Sequence, residues 1–348
     1  MRDDFGSLFA LNAALRSDPS ASVLANGLPC GPFDQKLLNE LFFTLSSTLS
    51  ELNTVLDTAN IVPDETAVNQ LVSAIAKIAA ANSPTIAQAT VTLWVRTDGN
   101  DANDGSANTA GKAFQTIAAA IKYGLSRYVF AGFSLIIKLG LANTASNPYA
   151  PPGQINGAGN VTIMGGDATA NNYVIGGAGP ASGNSALVLA GPGSQITLSN
   201  VTVQNTGALN HSVGSVQGGS MTTQNVAVVM TVTSTYSPFF SFSGGNTSIQ
   251  AGCSVSCVTV GSVLYADYGA LILSGALSVL GSPNSTTAFA YCRQGAFRFG
   301  QGAAFSLTGS PTGQRYLVLA NGVIDTGGLS TAFPGTTAGS VASGGQYI

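Results

Sequence analysis

Few residues in this chain are equipped for acid–base or nucleophilic chemistry. Beyond Asp104 the only carboxylates are Asp167, Asp267 and Asp325, and no Glu follows Glu65. His211 is the single histidine, and no Lys or Arg lies between Lys138 and Arg293. A lyase needs a base beside the substrate carboxylate and a cation to neutralise it, and His211 is the one candidate cation between Lys138 and Arg293. A Ser-His-Asp esterase has His211 and many serines, but no motif selects one of them. In NTGALNHSVGS the histidine reads as a turn residue. The cysteines (Cys30, Cys253, Cys257 and Cys292) lack CxxC spacing and read as buried, reduced thiols, with Cys253 and Cys257 on one side of a strand. The run DGNDANDG invites a calcium-loop reading. Counted from Asp98 the fifth ligand position is Ala102, and counted from Asp101 the twelfth is Lys112, so both registers fail. Asx turns that tighten a strand-to-helix link account for it better. No metal, no cofactor and no catalytic residue are assigned.

The elements that position these residues are read from composition and repeats. Only 8% of the 348 residues are charged, 45% are apolar and 43 are glycine. Apolar runs are broken every few residues by Gly, Ser or Asn, so none reaches the roughly 20 residues of a spanning helix. No membrane insertion is expected. Abundant Val, Ile and Leu exclude a disordered chain. A net charge of −3 leaves no electrostatic footprint for nucleic acid. The opening MRDDFGSL lacks the apolar core of a signal peptide, and assembly in cytoplasm is the expectation.

Glycines punctuate the chain at Gly140, Gly166, Gly191, Gly218, Gly244, Gly269, Gly295 and Gly322, at intervals of 25 to 27 residues. A short strand-like run precedes each (SLIIKL, LVLA, FFSFS, VLYADY), and an alternating run follows most of them (QITLSNVTV, ALILSGALSVL). Units this regular cannot bury their inner faces alone, so they stack. The expectation is a parallel β-helix of about eight coils, spanning about 38 Å at the strand spacing. Four residues before the marker glycine, Phe240, Tyr265, Tyr291 and Val318 form a ladder. Leu187 and Ile136 share that offset, which argues for an internal stack rather than a ligand platform.

Upstream, Leu38, Leu45 and Leu52 interleave with Phe42, Leu49 and Leu56 at heptad spacing, making one apolar stripe on a helix of about 24 residues. Asp64 is placed to cap a second helix carrying Val68, Leu71, Ile75 and Ile78 on one face. The domains expected are an arm over 1–34, a helical collar over 35–92, an entry strand and capping helix over 93–134, the β-helix over 135–330 and a turn-rich tail over 331–348.

Glycoside hydrolysis uses two carboxyl groups roughly 5–9.5 Å apart. Asp167 and Asp267 stand four coils apart, about 19 Å along the axis. Asp267 and Asp325 are two coils apart, about 10 Å, at different offsets from their glycines. No intrachain pair fits, which weighs against catalysis, although a pair shared between subunits stays open. Thirteen of the 27 aromatic residues fall between Tyr236 and Phe333. They either stack on sugars or fill a widening core. Asp267, in YADYG, either bonds nearby backbone or lines a groove between Tyr265 and Tyr268 and accepts from sugar hydroxyls. Tyr265, Asp267 and Tyr268 are the candidate receptor-binding residues.

The segment WVRTDGNDANDGSANTAGKAFQTIAAAI resembles the entry motif of bacteriophage tailspike and tail-fibre proteins with right-handed β-helices. In that family a strand (here Trp94 to Arg96) leads through an Asp/Asn/Gly-rich turn (Asp98 to Gly105) to a capping helix (Phe114 to Tyr123). IVPDETAVNQLVSAI and FPGTTAGSVASGGQY are similar to the virion-proximal region and the chain ends of such fibres. The resemblance implies a homotrimer in the virion tail, docked to other tail or baseplate proteins through its N-terminal region and facing host-surface polysaccharide or another receptor. It leaves a depolymerase and a non-binding virion decoration as alternatives. An amphipathic helix over an open solenoid end, where unpaired edges promote aggregation, suits that family on physical grounds.

Overall fold

The computed structural model describes residues 35–64, 67–143, 146–178, 186–208, 211–300, 302–327 and 333–348. The expected arm over 1–34, with Cys30, lies outside them. The chain divides into two compact units, Met1–Pro84 and Thr85–Ile348. No helix among the described residues is long and apolar enough to cross a membrane.

The first unit holds α1 (Gln35–Thr58) and α2 (Gln70–Asn82). Along α1 the heptad positions Phe42, Leu49, Leu52 and Leu56 are half-buried, while Leu45 is exposed. Asp64 does not cap α2. The helix begins six residues later behind Asn69, whose side chain makes no capping bond. Asp64 instead opens a loop closed by Gln70: its N–H donates to Gln70 Oε1 at 2.8 Å, and the Gln70 amide donates back to its carbonyl. A glutamine that reaches back satisfies the backbone that a capping carboxylate would have served. Among the described side chains of α2 only Ala74 is fully buried; Val72 and Ile75 stay exposed, as does Val68 just before the helix.

The second unit is a parallel β-solenoid of about eight turns. Its entry strand is Val91–Val95, with Leu93 and Val95 buried by the two-residue alternation. The helix that follows, α3, runs Ile117–Arg127, three residues later than its expected start. Phe114, expected in its first turn, instead bridges to Val95 and is buried at 1% exposure. Asp101 sets the start. Its carboxylate accepts from the Gln115 and Thr116 N–H groups (2.9 and 2.8 Å) and from the Thr116 hydroxyl (2.9 Å). Thr116 then caps the helix through the Ala119 N–H. Ile117, Ala120, Ile121 and Gly124 face inward, so the apolar stripe of α3 packs on the first two rungs of the solenoid. A Cβ on Gly124 would lie 2.5 Å from Leu135 Cδ2.

One coil shows the cross-section. Phe239–Phe242, Asn246–Ile249, Cys253–Cys257 and Thr259–Val260 form successive sides, and Leu264–Asp267 then pairs parallel with Phe239–Phe242. Stacked coils make sheets of 14, eight and three strands. The 25–27-residue beat is therefore the length of one turn. Its marker glycine sits at the corner between the first two sides. There the preceding residue takes a left-handed conformation (Gln217, Ser243, Tyr268 and Gln294, φ 47° to 55°). Gly244 itself has φ +83°, which favours glycine, whereas a Cβ on Gly295 would meet the Gly269 carbonyl of the coil beneath at 2.5 Å.

The expected ladder needs two corrections. Phe240, Tyr265 and Tyr291 are in register, but the next rung is Leu317, not Val318. The last corner carries two left-handed residues before its glycine, Ala320 and Asn321, where the others have one, and the extra residue shifts the count. Below Phe240 the rungs are Gly214, Leu189 and Gln154, because Ile136 belongs to the other sheet and Leu187 lies two positions off. The segment expected as a tail adds rungs to both large sheets through Ser340–Val341 and Gln346–Tyr347.

The ladder also faces outward rather than inward. Phe239, Leu264, Ala266, Ala290 and Cys292 belong to the main core, so alternation turns Phe240, Tyr265 and Tyr291 to the opposite face of the sheet. Phe240 there joins Ala186, Leu189 and Val216 in a separate apolar cluster bordered by Phe242 and Tyr265. Other distal aromatics do pack the core: Phe297 and Phe333 are buried, Phe299 and Phe305 are half-buried against them, and the four rings meet edge-to-face or tilted with centroids 5.3 to 5.9 Å apart. Cys253, Cys257 and Cys292 are free and buried, and burial pushes all three thiols up in pKa, Cys292 to about 11.

Candidate functional site

The outward face of the Leu264–Asp267 strand carries a hydrogen-bonded polar cluster. Alternation turns Tyr265 and Asp267 outward while Leu264 and Ala266 anchor the strand in the core. One rung above, Tyr291 lies opposite Tyr265 and Arg293 opposite Asp267. The two tyrosine rings stack nearly parallel, 5.0 Å between centroids and 7° between planes. Stacked this way they hide their faces from solvent and present their edges. Asp267 is only 1% exposed and is held by three donors: Arg293 Nε at 2.7 Å, Arg293 Nη2 at 2.5 Å and the Tyr265 hydroxyl at 3.1 Å. Its hydrogen bond to Asp267 raises the Arg293 pKa, and burial followed by the nearby carboxylate raises that of Tyr265.

This geometry resolves the two readings of Asp267. It bonds side chains rather than neighbouring backbone, and it is too buried to accept from a ligand. Tyr268 is the exposed member at 50%, and the Arg293 guanidinium sits 5.8 Å from its ring centroid. Its positive φ is shared with the equivalent corner residues of other coils, so the conformation belongs to the fold and not to a site. Arg293 was not singled out from the sequence. The coil length held the signal, since 26 residues beyond Asp267 falls on Arg293.

The remaining chemically equipped residues are dispersed. Asp325 lies on the 14-stranded sheet rather than beside Asp267, pairs in register with Arg298, and accepts from the Gly327 N–H at 3.2 Å. Asp167 accepts from the Thr169 N–H, the Asn172 amide and the Tyr173 hydroxyl, and these bonds lower its pKa. The Asn100 and Asp104 side chains accept from N–H groups two residues on, the Asx turns expected of DGNDANDG.

His211 is not a turn residue. It opens the strand His211–Val216 and is buried, its ring stacked on Phe240 at 4.1 Å and set edge-on to Tyr236 at 4.9 Å. Nδ1 accepts from the Ser237 N–H at 3.0 Å. Burial drives its pKa down to about 4, which keeps the ring neutral at pH 7. A buried imidazole sandwiched in this way supports the outer aromatic column and is closed to substrate.

Comparison with protein-family models, with curated proteins and with solved structures finds no match to this chain.

Proposed function

We propose that this chain is a bacteriophage tail fibre or short tailspike, a virion protein that binds a polysaccharide receptor on the host surface. The observation that carries the reading is the outward aromatic and ion-paired face made by Tyr265, Tyr291, Tyr268 and Arg293 on a parallel solenoid of about eight turns. The exposed Tyr268 ring beside a fixed polar donor, with the edges of the stacked Tyr265 and Tyr291 rings, is suited to sugars, and a solenoid holds such groups in fixed register. The entry motif from Trp94 to Ile121, with α3 packed on the first rungs, supports the family likeness and a right-handed coil. The heptad stripe of α1 and the exposed apolar side of α2 support a helical collar that joins three copies near the virion, with the N-terminal arm docked to tail or baseplate protein. Asp267, the carboxylate nearest the aromatic face, is sequestered by Arg293 and Tyr265, which favours adhesion over cleavage.

The test is incubation of the purified chain with host polysaccharide. Saturable binding without shortening is the expected result. Shortened glycan would make the protein a depolymerase, and neither binding nor shortening would make it a virion decoration.

A further inference from the structure

We infer that the Arg293–Tyr268 surface takes a carboxylate-bearing sugar, so that the receptor glycan is acidic; this rests on the glycan-binding reading above. A guanidinium carries five N–H donors in a planar fork, and each edge of the fork matches a carboxylate. Arg293 spends one edge, Nε with Nη2, on Asp267. Among the described residues no acceptor takes the other edge, Nη1 with the second Nη2 hydrogen, and the side chain is 42% exposed. The Asp267 partnership fixes the orientation of the plane, so the open edge is presented in one geometry rather than sampled by a flexible chain.

What the surface offers decides the ligand class. Asp267, 1% exposed and turned toward Arg293 and Tyr265, gives a ligand no acceptor. The open groups are charged donors beside one aromatic ring, Tyr268. Acceptor-rich, negatively charged substituents are the complement of such a set, and a charge-assisted bond is about twice as strong as a neutral one. The surroundings do not repel an anion. From residue 168 to the end the charged side chains are Arg293, Arg298, Arg315, Asp267 and Asp325, a net positive stretch in a chain of net charge −3. With Asp267 buried, Asp325 is the one remaining carboxylate side chain there, and it stands on a different sheet. A neutral sugar would use the Tyr268 ring but leave the second edge of the guanidinium to water.

The experiment titrates the full chain by calorimetry with oligogalacturonate, oligoglucuronate and oligosialate, each beside its methyl-esterified form. At least one acidic form is expected to bind. Its affinity should fall about tenfold or more on esterification, since a hydrogen bond to a charged group contributes roughly 1.5–3 kcal/mol. It should also fall as salt is raised. Arg293→Gln should reproduce the loss, and Arg293→Lys, which keeps the charge without the fork, should recover only part of it. Because Arg293→Gln strands a buried carboxylate, the double variant Arg293→Gln/Asp267→Asn is measured alongside, with circular dichroism to check the fold. The esterification arm needs no variant. Equal affinity for acid and ester, no binding of any acidic form, or indifference to loss of the guanidinium would each overturn the inference. Binding of a neutral host glycan alone would overturn it while leaving the receptor-binding reading intact. Failure of every glycan would sink both.

Discussion

In the helical unit Val68 is fully exposed and Val72 and Ile75 more than half exposed, whereas Leu264, Leu271 and Val279 in the solenoid retain no exposed surface. The two regions have similarly apolar sequences and opposite fates. In the solenoid each coil presents its inner face to the coils above and below, so the repeat supplies its own partner. Among the described residues of the first unit the two helices pack on each other, and two lines of side chains cannot enclose a core. An exposed apolar residue of the first region therefore contributes to stability only when something further covers it, while the inward-facing residues of the coils already contribute.

The comparison predicts unequal responses to truncation. The largest effect is expected in the core: Phe239→Ala, at a side chain with 0% exposure, should destabilise the solenoid by about 3–5 kcal/mol in denaturant unfolding. A loss below 1 kcal/mol would mean the coils are not closely packed.

Next comes acid. The folded chain holds His211 at a pKa of about 4, below the ordinary 6.5, so folding favours the neutral ring. That contribution is complete above pH 6.5 and is lost as pH falls toward 4, because the unfolded chain binds the proton first. It amounts to something on the order of 3 kcal/mol. Stability curves at pH 7 and pH 4 for the native chain and for His211→Phe should differ in slope by about that amount. Parallel curves would place His211 in contact with water.

A smaller effect is expected on the outer face. Asp267→Asn removes the charge that neutralises Arg293 and should cost about 2 kcal/mol, less than a fully buried pair because Arg293 is partly exposed. The unfolding midpoint measures it, and a neutral outcome would show that Tyr265 and Tyr291 hold the face without the ion pair.

The smallest intrinsic effect belongs to the helical unit. Val68→Ser and Ile75→Ser should each change the stability of an isolated chain by less than about 0.5 kcal/mol, yet lower the trimer fraction that the proposed collar predicts and light scattering measures. A monodisperse monomer at micromolar concentration in the native chain would remove the collar from the account. A large destabilisation of the monomer would show that these side chains are already covered.

Coil length, parallel stacking and the helix after the entry turn were legible in the sequence because each depends on local spacing. A turn recurring every 25–27 residues leaves a glycine wherever the backbone of one coil approaches the next, and Asp101 and Thr116 sit where a helix start needs acceptors. The register of distant rungs was not legible, since one additional left-handed residue at Ala320–Asn321 moves Leu317 into the place counted for Val318.

Nor could spacing tell which side of the sheet the ladder faces. Alternation separates Phe240, Tyr265 and Tyr291 from Phe239, Leu264 and Ala290, but both sets are apolar, so pattern alone does not label the interior. Closure of the coil made that choice, enclosing the second set and leaving the first outside. The same closure brought Arg293 over Asp267 and turned a carboxylate that resembled a ligand contact into the buried half of an ion pair. What the sequence determined was the repeat and its turns, which are set by neighbours along the chain. Which side chains meet, and which are left to face solvent, was decided by tertiary structure, because those contacts join residues one full coil apart.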